Sequence, residues 1–430
     1  MANTYLTNPT LLAARAELRS VNEGVPQALS SWRPSVTVNS DLGYEYSDIL
    51  NTNEPNRASD GYTSRVRLSV EQTVWEGGSI RANVDSVEAV VFAQRALLAD
   101  TEQSVLLAAA TAYMDVWQAK ATLDLNIANE ERLRRQREAT VDRFNVGEVT
   151  RTDVSQADAR LAGAMADRVS SEGDLAMAQS IFYQITGLVP EGIEQAPPLS
   201  VLPRSRQEAV ALAQQDQPNL VAARFLENSA LSDVRAQLGA LLPTVSLLGL
   251  IDYSRDNSVQ SGTSHLDSFA ASIMVSVSIP FYQQGLVSSQ VRQAKQIANR
   301  RRLEITEALR QADQDAVAAW EALQSARAQI ASFEAQVRAN TVALDGVEQE
   351  SLVGARTVLD VLDAEQELLQ SQVSLVGAQR DEVVAAYRVS TAIGRLTVAN
   401  LDLGVAIYDP QIDYEKIRNR WFGLDAPGAD

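Results

Sequence analysis

Asp360 and Asp363 stand three residues apart in a stretch of helical character. That spacing puts two carboxylates on one helix face a turn apart, where they repel unless they face water or a cation. Arrayed about a three-fold axis, each would become a ring of three negative charges. The plainer alternative is a pair of solvated acids near a helix N-terminus, where the dipole favours them. Arg356 lies just before them, and a guanidinium fork can pair with a carboxylate and a hydroxyl together. At an exposed position such a pairing contributes only about 0–1 kcal/mol.

Other chemistries fail on inventory. His265 is the only histidine and there is no cysteine, so no second His or Cys is available to share a metal or activate a nucleophile. No Gly-x4-Gly-Lys-Ser/Thr phosphate loop occurs. Pairs of Asp and Glu sit on coiled-coil faces without the cleft that glycoside chemistry requires. We therefore expect no catalytic residue, no metal and no cofactor. A formal net charge of −18 argues against nucleic acid, which needs a basic face, and serves solubility instead.

The elements that carry these residues are long. No proline falls between Pro55 and Pro190 or between Pro280 and Pro410, and proline is the residue that most reliably breaks a helix. Helices are expected over 8–31, 79–146, 152–187, 205–242, 286–352 and 357–394. In the fifth, Ile305, Leu309, Ala312, Ala316, Ala319, Leu323, Ala326, Ile330, Phe333 and Val337 alternate steps of four and three. That is a sustained heptad seam, and Leu362, Leu369, Val373, Val376, Val383 and Tyr387 continue it on the next helix. A helix of this size is roughly 100 Å long, so an elongated object is expected. Val146-Gly147 and Val353-Gly354 interrupt the helices at two similar turns, each Gly able to take positive φ. Thr152 and Thr357 are the expected N-caps after them.

Between the helices lie hairpins, expected over 34–76 and 244–281. Val36, Val38, Leu42, Tyr44 and Tyr46 alternate with polar residues in one strand, and Val66, Leu68, Val70 and Val74 in the next. Val245, Leu247, Ile251 and Tyr253, then Phe269, Ala271, Ile273, Val275 and Val277, repeat the pattern. Polar loops are expected near 51–63 and 256–267. Four strands with one apolar face leave exposed edges, and a membrane barrel needs about eight or more, so closure requires copies of the chain. Tyr44, Tyr46, Trp75, Tyr253, Phe281 and Tyr282 fall near strand ends, where aromatic girdles sit. No apolar run reaches the ~20 residues of a transmembrane helix. The first residues lack a signal peptide's basic and apolar regions, as in a cytosolic protein or a mature chain.

The chain is also duplicated. Val146-Gly147 and Asp153 recur 207 residues later as Val353-Gly354 and Asp360, and Asn8-Pro9-Thr10-Leu11-Leu12 is answered by Gln217-Pro218-Asn219-Leu220-Val221. A first repeat is expected over 1–203, a second over 204–400, and a tail over 401–430. In this order, helix, hairpin and two long helices twice over, the chain resembles the TolC family of bacterial outer-membrane channel-tunnels. The most specific stretches are Arg143-Phe144-Asn145-Val146-Gly147 through Thr152-Asp153-Val154, Val353 through Ala364, and Ile279-Pro280-Phe281-Tyr282-Gln283-Gln284-Gly285.

The resemblance implies a mainly α fold with a small β part. As a homotrimer it would form a 12-stranded barrel in outer-membrane lipid, continued by a periplasmic 12-helix barrel. It implies partners, a periplasmic adaptor (membrane fusion) protein and an inner-membrane ABC or RND-type transporter, and a role in efflux or type I secretion. It places aspartate rings at the constriction, Asp360 and Asp363, and a lock between Arg356 and the Thr152–Asp153 pair. Val146, Gly147, Val353 and Gly354 would form the adaptor-docking tip. The chain departs from the family's best-known members by carrying Ser351 where they carry Tyr beside the lock. The alternative expectation is a soluble coiled-coil scaffold or tether without transport activity.

Overall fold

A computed structural model describes residues 1–49, 57–196, 199, 202–257 and 266–426; His265 lies outside them. In chain order the elements are α1 (Ala2–Thr7), α2 (Pro9–Asn22), α3 (Gly24–Ser30), β1 (Ser35–Ile49), β2 (Arg57–Glu76), α4 (Ser79–Asn145) and α5 (Arg151–Thr186). They are followed by α6 (Arg206–Asp216), α7 (Pro218–Gly239), β3 (Thr244–Asp256), β4 (Leu266–Ser278), α8 (Leu286–Leu352), α9 (Val358–Ala392), α10 (Val398–Leu401) and α11 (Pro410–Arg418). The expected helix over 8–31 is two helices, α2 and α3. The expected 205–242 is likewise split into α6 and α7, because Pro218 opens a new helix rather than continuing the old one. The long helices start and stop within two residues of expectation.

Two compact units emerge, each built from both halves of the duplication. One comprises residues 1–17, 95–222 and 305–408, the other 18–94, 223–304 and 409–430. The first unit is helical. Along α8 no residue of the expected seam is exposed, and Ala312, Ala316, Leu323 and Ala326 are buried. Leu323 packs with Ala385, Ala386 and Val389 of α9, while Met114 of α4 packs with Val383 and Val384. Small residues at these contacts let the backbones approach closely, so thin layers between long helices replace a thick core.

In the second unit the strands form one antiparallel sheet, order β1-β2-β3-β4. The hairpins of the two repeats are joined through β2 and β3, and among the described residues β1 and β4 are open edges. Register carries Val38 beside Leu68, Leu68 beside Ile251, and Ile251 beside Ala271. The neighbouring row runs Val36, Val70, Gly249, Ile273 on the same face. The opposite face carries Asn39, Arg67, Asp252 and Ala270 in register, with Arg67 Nε donating to Asp252 at 2.9 Å. One face is apolar and exposed, with Val36 at 64% and Ile273 at 82%. The strands of the first hairpin run further toward its tip than expected. Residues 57–63, read from composition as loop, belong to β2, where Tyr62 pairs with Tyr44, because cross-strand aromatics outweigh the turn-prone Ser and Gly around them. Among the described residues no helix is long and apolar enough to cross a membrane.

Candidate functional site: the paired helix turns

Within the helical unit the two turns are built alike. After α4, Gly147 adopts φ +83°; Gly147 N–H donates to Phe144 O and Glu148 N–H to Arg143 O, both at 2.9 Å. After α8, Gly354 adopts φ +78°, with Gly354 N–H on Ser351 O at 3.1 Å and Ala355 N–H on Glu350 O at 2.9 Å. Both are Schellman ends, which use a left-handed residue to satisfy the last carbonyls of a helix.

Each turn then starts its next helix with a capping box. Thr150 and Asp153 exchange bonds at the head of α5: Asp153 Oδ2 accepts from Thr150 N–H and Oγ1, each at 2.7 Å, and Thr150 Oγ1 accepts from Asp153 N–H at 3.3 Å. Thr357 and Asp360 do the same for α9, at 2.9, 2.8 and 3.3 Å. Thr357 is the N-cap expected, but Thr152 is not. The first-repeat cap is Thr150, because only it has an acid three residues on. The signal was in the sequence, as Thr-x-x-Asp at 150–153 and again at 357–360.

Asp360 is thus engaged with its own helix. Bonds from the Thr357 backbone and hydroxyl, then the charge of Arg356, hold its carboxyl below the usual range. Asp363, one turn on, does something else: its Oδ1 accepts from Arg160 of α5 at 2.5 Å, and Arg160 also reaches Gln366. Arg356 spans its own turn, Nε donating to Glu350 Oε2 at 2.8 Å, as Arg143 spans the other turn to Glu148 at 3.2 Å. Within one chain, therefore, Arg356 engages Glu350, and Asp153 engages Thr150. Beneath the turns Leu133, Ala164, Val358 and Leu362 join α4, α5 and α9. Val146 and Val353 stay exposed at 72% and 79%.

One residue the sequence reading passed over lies directly behind this site. Glu365 of α9 is 4% exposed, and its Oε2 makes no hydrogen bond among the described residues. Burial pushes its carboxyl up to about 7, Glu348 of α8 adds to the rise, and Arg132 of α4 opposes it. It lines both a cavity of ≈ 480 Å³, shared with Arg132, Arg135, Arg143 and Glu348, and one of ≈ 340 Å³, shared with Asn129, Arg160 and Asp167. Its position was legible: 362, 365, 369 continues the alternation of three and four, which puts an acid in the seam.

The outer membrane efflux protein family matches this chain twice, over residues 3–188 and 209–395. The outer membrane efflux protein BepC of Brucella suis biovar 1 (strain 1330) is 35% identical over 429 residues, 99% of this chain and 91% of that one. The outer membrane protein TolC of Vibrio cholerae is 27% identical over 403 residues, 91% and 88%. The solved Campylobacter jejuni CmeC outer membrane channel shares the fold, with a TM-score of 0.82 at 15% identity, over 97% of this chain and 88% of that one. With a duplicated hairpin-and-helix repeat and a one-face apolar sheet, this chain belongs to the outer membrane efflux protein family, whose members are non-enzymatic outer-membrane channels.

Proposed function

We propose that three copies of this chain assemble as the exit duct of a tripartite efflux pump or type I secretion system. Twelve strands close a barrel in outer-membrane lipid, and twelve helices continue it into the periplasm, where an adaptor and an inner-membrane ABC or RND-type transporter engage it. The observation that carries this is the sheet. Its apolar face spans all four strands in register, and its edges β1 and β4 are unpaired among the described residues. Membrane-exposed backbone groups must be satisfied, so edge pairing with neighbouring copies is the physical route to closure. The soluble-tether alternative gives that face no covering layer.

Each repeat keeps its own place in the cylinder, over 1–203 and 204–400, with the tail 401–430 added. Passage is gated where Asp360 and Asp363 of three subunits meet on the axis. In this reading the lock from Arg356 to Thr152 and Asp153 forms when Arg356 exchanges its Glu350 partner. The Glu350 bond, half exposed at both ends, contributes little enough to exchange. Val146, Gly147, Val353 and Gly354 form the surface the adaptor meets. Reconstitution in planar bilayers tests this: Arg356→Ser raises single-channel conductance above the parent. Unchanged conductance removes the lock, and absence of any channel from a folded trimer removes the duct.

A further inference from the structure

The tail after α11 is held in a defined shape that displays apolar side chains. Helix α11 is seated by Tyr414, which packs with Val25 and Val91, and by Arg418, whose Nη2 donates to Glu88 at 2.9 Å. Beyond it Arg33 reaches across, Nη1 donating to Arg420 O at 2.8 Å with its guanidinium 4.8 Å from the Trp421 ring centre. Arg420 then closes the turn on itself. Its Nε donates to Phe422 O at 3.0 Å, and its two Nη groups donate to the carbonyl and side chain of Asp425 at 2.9 and 2.8 Å. The outcome of so many bonds is that Phe422 and Leu424 stand 86% and 103% exposed. A turn ordered in order to stay solvated would carry polar residues here.

The position of the turn says what covers it. Trp32 and Arg33 lie just before β1, and Gln72 Nε2 donates to Trp32 O at 3.1 Å. Gln72 is on the inner strand β2, in the row with Leu247 and Val275, so this contact falls on the apolar face and not on an open edge. At the same end of the sheet Trp75, Phe281 and Tyr282 are exposed too. Aromatic rings with an interspersed cation at the end of an apolar band are the composition of a membrane–water interface. We propose that residues 421–424 insert into the periplasmic-side leaflet of the outer membrane as an interfacial anchor at the foot of the barrel, with phospholipid as the partner. Phe422 and Leu424 enter the boundary between headgroups and acyl chains, within the ~5–10 Å depth that interfacial segments reach. Arg33, stacked on Trp421, faces the phosphates. This rests on the reading of the apolar sheet face as lipid-facing.

The chain has no native cysteine, so single-cysteine labelling tests both readings at once. The full-length trimer carries an environment-sensitive fluorophore at Phe422→Cys, Ile273→Cys on the apolar face, or Ser272→Cys on the polar face. It is placed in phosphatidylethanolamine–phosphatidylglycerol vesicles with or without headgroup-proximal nitroxide lipid. The proposal expects the labels at 422 and 273 to lose about half their emission or more to the lipid quencher, and that at 272 to lose little. Quenching at 273 but not at 422 overturns the anchor and leaves the barrel standing; a photo-cross-link from 422 to a neighbouring subunit would then identify a second copy as the cover. Quenching at neither position overturns both.

Discussion

Glu365 sets a pH dependence that can be worked from the structure. Its carboxyl is buried on α9, with Arg132 of α4 and Glu348 of α8 as the charges acting on it and Arg160 and Asp167 of α5 lining the adjoining cavity. Burial raises its pKa from an ordinary 4.5 to about 7. A raised carboxyl pKa means the folded state holds a proton that the unfolded state has released. Stability is therefore intact below about pH 4.5, falls as pH rises, and levels off above about 7. The full span corresponds to about 3 kcal/mol. Glu365→Gln keeps the shape and removes the ionisation, so the variant should gain most of that amount at pH 8 and nothing at pH 4. For a chain of this length the gain corresponds to roughly 3–6 °C in Tm. Thermal unfolding followed by circular dichroism at 222 nm, on detergent-solubilised protein across pH 4–8, reads both slope and plateau. A Gln variant with the parent's slope, or one less stable than the parent at pH 8, refutes the reasoning.

Three further outcomes follow from the turns and the sheet. Thr150→Ala and Thr357→Ala should each cost about 1 kcal/mol by loss of a capping box, while Thr152→Ala should stay within about 0.5 kcal/mol; thermal melts of the three variants check the N-cap assignment. Gly354→Ala meets no neighbouring atom within 4 Å, so its cost is backbone strain alone, about 1–2 kcal/mol, read in the same melts. On β4, Ile273→Arg should destabilise by roughly 2–4 kcal/mol in lipid, whereas Ser272→Arg on the polar face should be near neutral. Urea unfolding in vesicles separates them, and equal costs would contradict the face assignment.

Resemblance groups Arg356 with Thr152 and Asp153, yet within the chain Arg356 bonds Glu350 and Asp153 bonds Thr150. Both partners are near in sequence and short-range geometry favours them. A consequence is that Asp153→Ala removes a helix cap as well as any link to Arg356, so Arg356→Ser is the cleaner probe of gating. The aspartates divide in the same way: Asp360 caps α9, and Asp363 pairs with Arg160, a residue 203 positions away that no spacing rule connects to it.

What the sequence by itself determined is whatever depends on period and punctuation. The seam from Ile305 to Val337, the alternation that sorts Val36, Leu68, Ile251 and Ile273 onto one face, and the proline-free stretches that let α4 and α8 run 67 residues each are local repeats. Side-chain direction follows from backbone geometry, so these are readable without a partner. Tertiary structure alone decided which helices meet, that β2 pairs with β3 and so joins the two repeats into one sheet, and that the tail is pinned by Arg33 beside β1. Those are contacts between residues tens to hundreds of positions apart. Many pairings satisfy the same periodicity, and only burial and charge partners in the folded chain select among them.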